Sequence, residues 1–216
     1  MFFCQIDDTN LCWAAGQAAA DLTAGNIMAV PTDTIYGVAC LVQVATAVDK
    51  LYALKGRHPE KPISICLPDP GDLPTWADTS PVEAGLLTDL LPGPVTLCFD
   101  RSPDLNPAFN PDARLVGVRV PDAPFVREVC RRVGATPVAL TSANLSQAQS
   151  CLEVPEFLGA LGHGLASVFD GGRLGSDRQG STIIDLSQKG HYRVMRNGSA
   201  LNETIAILHK HGLKEL

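Results

Sequence analysis

The sequence predicts an α/β fold, one domain in which a mixed β-sheet is flanked by helices. Three observations lead there. Short apolar, β-branched runs alternate with stretches of helical periodicity, the order expected of strands and their covering helices. The apparent strands crowd together between residues 167 and 196, which calls for hairpins and hence a mixed sheet. No linker or repeat divides the 216 residues, a length that suits one large domain with a substantial core.

Taken in order, residues 11–22 place Ala14, Ala15, Ala18, Ala19 and Leu22 on one helical face. The apolar runs 27–30 and 37–42 read as buried strands. Residues 45–55 return to helical spacing with Val48, Leu51 and Tyr52, and Gly56 is a natural stop because glycine accepts the left-handed conformation. Strands follow at 63–67, 95–99, 115–120 and 138–140, with helical stretches at 82–91 and 125–133. The last strands are 167–169, 182–186 and 192–195, and a helix over 201–208 follows, with Ser199 placed to cap it. The segment "SPDLNPAFNPDA", 102–113, reads as a surface excursion.

Hydrophobic residues make up 45% of the chain and charged residues 19%, which argues against disorder. A formal net charge of −6 gives no attraction to nucleic acid over the whole surface, leaving only a local basic patch for such a role. Seven cysteines, an odd number with no C-x-x-C pair, read as buried free thiols in a reducing compartment rather than as a zinc site. The start "MFFCQIDDTN" is neither a signal peptide nor a good transit peptide, and no apolar run approaches a membrane span. A cytoplasmic location is expected, with a second, mitochondrial form left open.

The Walker and Rossmann glycine motifs, H-E-x-x-H and G-x-S-x-G are absent. Five features carry the chemistry that remains. Pro31-Thr32-Asp33-Thr34 puts hydroxyls and a carboxylate at a strand end, where open α/β sheets bind ligands. There Thr32 and Thr34 could hold a small polar substrate, and Asp33 could bind a cation or orient a neighbour. On local chemistry alone, a turn closing the strand explains the stretch better. "LKGRHPEKP" gathers Lys55, Arg57, His58 and Lys61, cations fit for polyphosphate, although a helix C-terminus attracts cations too. Arg119 stands alone in an apolar run and must be paired, either with a substrate carboxylate or with a structural partner. "PVALTSANLS" opens a buried strand into Thr141, Ser142, Asn144 and Ser146, small enough for phosphates to reach backbone N–H groups, or simply a turn. The stretch 170–182 holds four glycines and two arginines, a mobile loop near an anion or a plain flexible loop.

Seven segments resemble, in register, the YrdC family of threonylcarbamoyl-AMP synthases: "VPTDTIYGVAC", "LYALKGR…KPISI", "LLPGPVTL", "VGVRVP", "LTSANLS", "GSTIIDLS" and "VMRNGSA". The resemblance runs from about residue 29 to 200 and treats 1–216 as a single YrdC-like domain of the animal type. It implies a twisted mixed sheet around a large, positively lined cavity. The implied reaction joins L-threonine, bicarbonate (or CO2) and ATP into L-threonylcarbamoyladenylate and pyrophosphate. A separate threonylcarbamoyl transferase complex then modifies tRNA, so tRNA itself is an indirect or weak partner.

By motif, the resemblance assigns Thr34, Arg119 and Ser181 to threonine, with Arg119 on its carboxylate. It assigns Lys55, Arg57 and Lys61 to the triphosphate, the first two as the catalytic cations. Ser142, Asn144, Ser150 and Arg196 would also lie on the ATP side. Mg²⁺ would accompany ATP, held by phosphates and water rather than by a protein cage. The sequence departs from the pattern at His58 and Asn197, where proline is usual, and at Cys66, polar in some relatives. Two other readings remain from the same fold. One is a non-catalytic RNA-binding module, opposed by the acidic charge and the lack of a stacking pattern. The other is a carbamoyl-transfer domain like that embedded in hydrogenase maturation factors.

Overall fold

The runs of period two and of period 3.6 assemble into one mixed sheet covered on both faces. The computed structural model describes residues 1–56, 62–134, 136–145 and 148–216. Its strands are β1 (Phe2–Gln5), β2 (Met28–Val30), β3 (Gly37–Leu41), β4 (Ser64–Cys66), β5 (Val95–Asp100), β6 (Leu115–Arg119), β7 (Val138–Ser142), β8 (Ser167–Asp170), β9 (Thr182–Asp185), β10 (His191–Arg196) and β11 (Lys214–Glu215). Its helices are α1 (Leu11–Thr23), α2 (Ala45–Lys55), α3 (Leu73–Trp76), α4 (Ala84–Leu90), α5 (Pro124–Val133), α6 (Pro155–Leu161) and α7 (Leu201–Lys210).

Among the described residues the strands lie in the order β1-β8-β2-β3-β7-β4-β6-β5-β9-β10-β11. β3 runs antiparallel to both neighbours, β2 and β7, whereas β4 pairs parallel with β6, and β5 parallel with β9. The mixed sheet expected from the crowded late strands is therefore present. Its strongest register is the five-residue ladder from Gly37 opposite Ser142 to Leu41 opposite Val138.

Side chains alternate across the central strands and feed two cores. Ala39 and Leu41 join Met28, Val30 and Leu140 beneath α1 and α5. Val38, Cys40 and Val42 face the other way, toward Val48 and Leu51 of α2. The small face of α1, Ala14, Ala15, Ala18 and Ala19, lets α5 approach closely, and Leu22 on the same face is fully buried. Burying one such leucine contributes ~1.5–3 kcal/mol.

α2 ends as its sequence dictates, with Gly56 left-handed at φ +53°. Ser199 is not the cap of α7. That position is Ala200, with no side-chain cap, and the Ser199 N–H donates instead to the Gly180 carbonyl. The segment 102–113 is the expected loop, with residues 103, 104, 107, 108, 111 and 112 exposed, but it is anchored from within. Leu105, Phe109 and Asn110 are buried, and the Arg101 guanidinium holds the carbonyls of Phe109, Asn110 and Asn106 at 2.8, 2.8 and 3.1 Å. Its polar residues serve the backbone: the Asn110 amide both accepts from and donates to Ile63, at 2.9 Å each.

Candidate active site

The β2–β3 connection begins at Pro31. Thr32 Oγ donates to the Ile35 carbonyl at 2.7 Å and accepts the N–H groups of Thr34 (3.1 Å) and Ile35 (3.3 Å). The turn reading of this stretch is thus correct, and it engages both hydroxyls, since Thr34 Oγ lies 3.1 Å from Thr32 Oγ. The carboxylate looks outward from the turn. Asp33 Oδ1 accepts from Arg119 Nη2 at 2.6 Å, and Oδ2 accepts the Asp122 N–H at 3.0 Å. Thr34 Oγ lies 3.4 Å from the same Arg119 nitrogen.

Arg119 ends β6 and is buried, as a charge on an apolar strand must be when paired. Asp33 is its partner, so the carboxylate of the turn orients a neighbour rather than binding a cation. Arg119 Nε is buried with no hydrogen-bond partner. On the facing wall, Ser181 precedes β9 and its Oγ lies 2.7 Å from Thr96 Oγ on β5. Arg196, last of β10, donates to the Ser181 carbonyl from Nε (3.1 Å) and Nη2 (2.7 Å). Burial and the nearby Arg119 charge lower the Arg196 pKa, although much of the side chain still meets solvent.

These groups line one cleft of about 610 Å³, its open mouth included. Thr32, Ser64, Arg119, Ser142, Ser181 and Arg196 supply its polar wall. The sequence-derived residues Arg119, Ser142, Ser181 and Arg196 are therefore brought together. Thr34 borders a neighbouring hollow of about 560 Å³ with Asp33 and Ser199, which shares Thr32 with the cleft. Lys55 does not line the cleft. It is buried, and its ammonium donates to the carbonyls of Ser142 (2.5 Å) and Asn144. Asn144 folds its amide back onto the carbonyls of Leu145 and Ala148, at 2.9 and 2.5 Å, leaving Oδ1 buried without a partner. Ser150 is off the cleft, and its carbonyl accepts from Arg178 at 2.6 Å. Arg57 and Lys61 lie outside the described residues.

The arginines of the glycine-rich stretch 170–182 are each paired with a carboxylate. Arg173 pairs with Glu153 at 2.7 Å, and Arg178 takes both oxygens of Glu156 at 2.6 and 2.8 Å. The Arg178 hydrogen bonds, helped by the Leu152 N–H, hold the Glu156 carboxyl down to about 2.

Sequence reasoning missed three hydroxyls here, Ser64 of the cleft wall among them. Tyr36 is fully buried, and its hydroxyl shares its hydrogen between Asp170 Oδ1 (2.9 Å) and the Gly172 carbonyl (2.7 Å). Burial and Asp170 push this phenol well above its usual pKa. Thr96 was hidden in a strand, where a buried hydroxyl among apolar residues is the one available signal. Burial pushes the thiols of Cys40, Cys66 and Cys98 up to about 12, so they are neutral at pH 7 and poor nucleophiles. Among the described residues, no group of three His, Cys, Asp or Glu is placed to hold a metal ion.

The profile of the Sua5/YciO/YrdC family, described as telomere recombination, matches residues 20–198. A threonylcarbamoyl-AMP synthase of Bos taurus is 45% identical over 201 residues, 91% of this chain and 72% of the relative. That of Homo sapiens is 46% identical over 202 residues, 91% of this chain and 71% of the relative. The crystal structure of P. abyssi Sua5 complexed with L-threonine superposes with a TM-score of 0.85 at 23% identity, over 100% of this chain and 62% of that one. The chain thus spans about three fifths of that archaeal protein.

Proposed function

The chain belongs to the Sua5/YciO/YrdC family, and from that membership we propose that it makes L-threonylcarbamoyladenylate from L-threonine, bicarbonate (or CO2) and ATP, with release of pyrophosphate. The product would feed N6-threonylcarbamoyladenosine modification of tRNA through a separate transferase complex, in the cytoplasm. Among the described residues no helix is long and apolar enough to cross a membrane.

One observation carries the reading: a single cleft holds two arginines and the Ser142 and Ser181 hydroxyls at converging strand ends. Arg119 takes the threonine carboxylate, and the Ser181 side holds the rest of the amino acid. The threonine amine becomes a carbamate, either by adding to CO2 with loss of a proton or by adding to bicarbonate with loss of water. A carbamate oxygen then attacks the α-phosphorus of ATP, and the bond to the β,γ-pyrophosphate breaks. Such a transfer needs positioning and charge stabilisation more than a protein nucleophile.

Arg57 and Lys61 are retained for the triphosphate. Lys55 would act from behind, by holding the carbonyls of Ser142 and Asn144, unless ATP draws its ammonium forward. Asn144, Ser150 and Arg196 keep their proposed place on the nucleotide side. Mg²⁺ would arrive with ATP, because the carboxylate bound to Arg119, Asp33, already has both oxygens engaged. The test is pyrophosphate release from ATP with single omissions. Release is expected only when threonine and bicarbonate are both present, and release without threonine, or none at all, refutes the reading.

A further inference from the structure

Arg119 is held from one corner. Asp33 and Thr34 both address Nη2, Nε is buried without a partner, and Nη1 makes no hydrogen bond among the described residues. Asp33 is fixed in turn by the Asp122 N–H on its second oxygen. The pair is shielded, with 9% of the Arg119 side chain and 7% of the Asp33 side chain exposed. The two residues also meet different surfaces, Arg119 the cleft and Asp33 the neighbouring hollow.

A guanidinium offers its donors as one rigid fork. Holding one nitrogen from behind therefore sets the direction of every other N–H. We propose that Asp33 is the positioning residue for amino-acid recognition: it anchors Arg119 through Nη2 and leaves the rest of the fork for the carboxylate of threonine. Asp33 is then neither a metal ligand nor a competitor that substrate must displace. Its negative charge does not empty the cleft of attraction for anions, because Arg196 lines the same cleft. The inference rests on the threonine reading above and deepens it.

Asp33→Asn tests it. Asparagine keeps the size but has one acceptor oxygen where Asp33 uses two, so either Arg119 or the Asp122 N–H loses its partner. The threonine KM is expected to rise about tenfold or more while the ATP KM stays within about twofold. Calorimetric titration with threonine alone should show the same loss of affinity. Asp33→Glu keeps the charge and both oxygens and should recover part of it, a rescue that a merely structural role does not require. A folded Asp33→Asn protein with an unchanged or lower threonine KM overturns the proposal, since Asp33 would then be idle or competing. If Asp33→Asn does not fold, Asp33→Glu decides. A rise confined to the threonine KM supports positioning, and an equal change for ATP, or none in either, overturns it. A wild-type protein without threonine-dependent release removes the functional reading and this proposal together.

Discussion

Gly198→Ala offers a sharp test of how the cleft is built. A Cβ at this position would lie 2.3 Å from the Ser181 carbonyl carbon, 2.3 Å from the Thr182 nitrogen and 2.5 Å from the Gly180 oxygen. All three are backbone atoms, so no side chain can swing aside. Ordinary contact begins near 3.4 Å, and the two segments must part by about 1 Å. Thr182 is locked into β9 beside β5, so the strain falls on Ser181 and on the Arg196 contacts that hold its carbonyl. Overpacking of this kind costs ~1–3 kcal/mol of stability. A displacement of about 1 Å at a substrate-positioning group lowers turnover ~100-fold. The assay is pyrophosphate release against threonine concentration, beside thermal unfolding. Gly159→Ala is the control, because its Cβ meets nothing within 4 Å and it sits in α6, where the change should stabilise by ~0.5–1 kcal/mol. A folded Gly198→Ala protein with wild-type threonine kinetics would refute the argument that this contact places Ser181.

Three further outcomes follow from the same geometry. Arg119→Ala should weaken threonine use far more than ATP use, and it should cost ~3–5 kcal/mol in urea unfolding because it strands a buried Asp33 carboxylate. Thr32→Ala should lower stability by ~1–3 kcal/mol, since its hydroxyl closes the turn, whereas Thr34→Ala removes one buried hydroxyl contact to Thr32 and should cost less, ~0.5–1.5 kcal/mol, while raising the threonine KM, read by unfolding and kinetics in parallel. Glu156→Gln should lower the melting temperature at neutral pH. The Glu156 pKa is depressed in the folded state to about 2 from 4.5, so its contribution is present above the unfolded value and disappears as pH falls toward 2. The gap between variant and wild-type melting temperatures should therefore close over that acid range, as a pH series of calorimetric scans would record.

The strands were legible because most are buried on both faces, and such strands read as apolar runs whatever their order in the sheet. β1 was missed because it is a four-residue edge strand with three exposed side chains, and β11 because it has two residues. α6 begins at proline and is seven residues long, too short for a period to register. Arg119 was legible as a charge in need of a partner, but its partner is 86 residues away, and no spacing rule reaches that far. The arginines of 170–182 misled for the same reason. Composition shows cations beside glycines, whereas Glu153 and Glu156, which neutralise them, come near only in the fold.

The turn at Thr32 and the proposed ligand wall at Arg119 form one connected unit. If Thr32 did not close the turn, Asp33 and Thr34 would have no fixed direction. If Asp33 did not meet Arg119, the arginine would be a buried charge without a partner, and β6 could not end where it does. Local hydrogen bonding, through the paired Thr32 and Thr34 hydroxyls, thus fixes a carboxylate that in turn holds a guanidinium. An isolated turn needs only the first of these steps. The second costs the desolvation of an ion pair, and a site that must hold a small anion in a fixed direction gives that cost a reason.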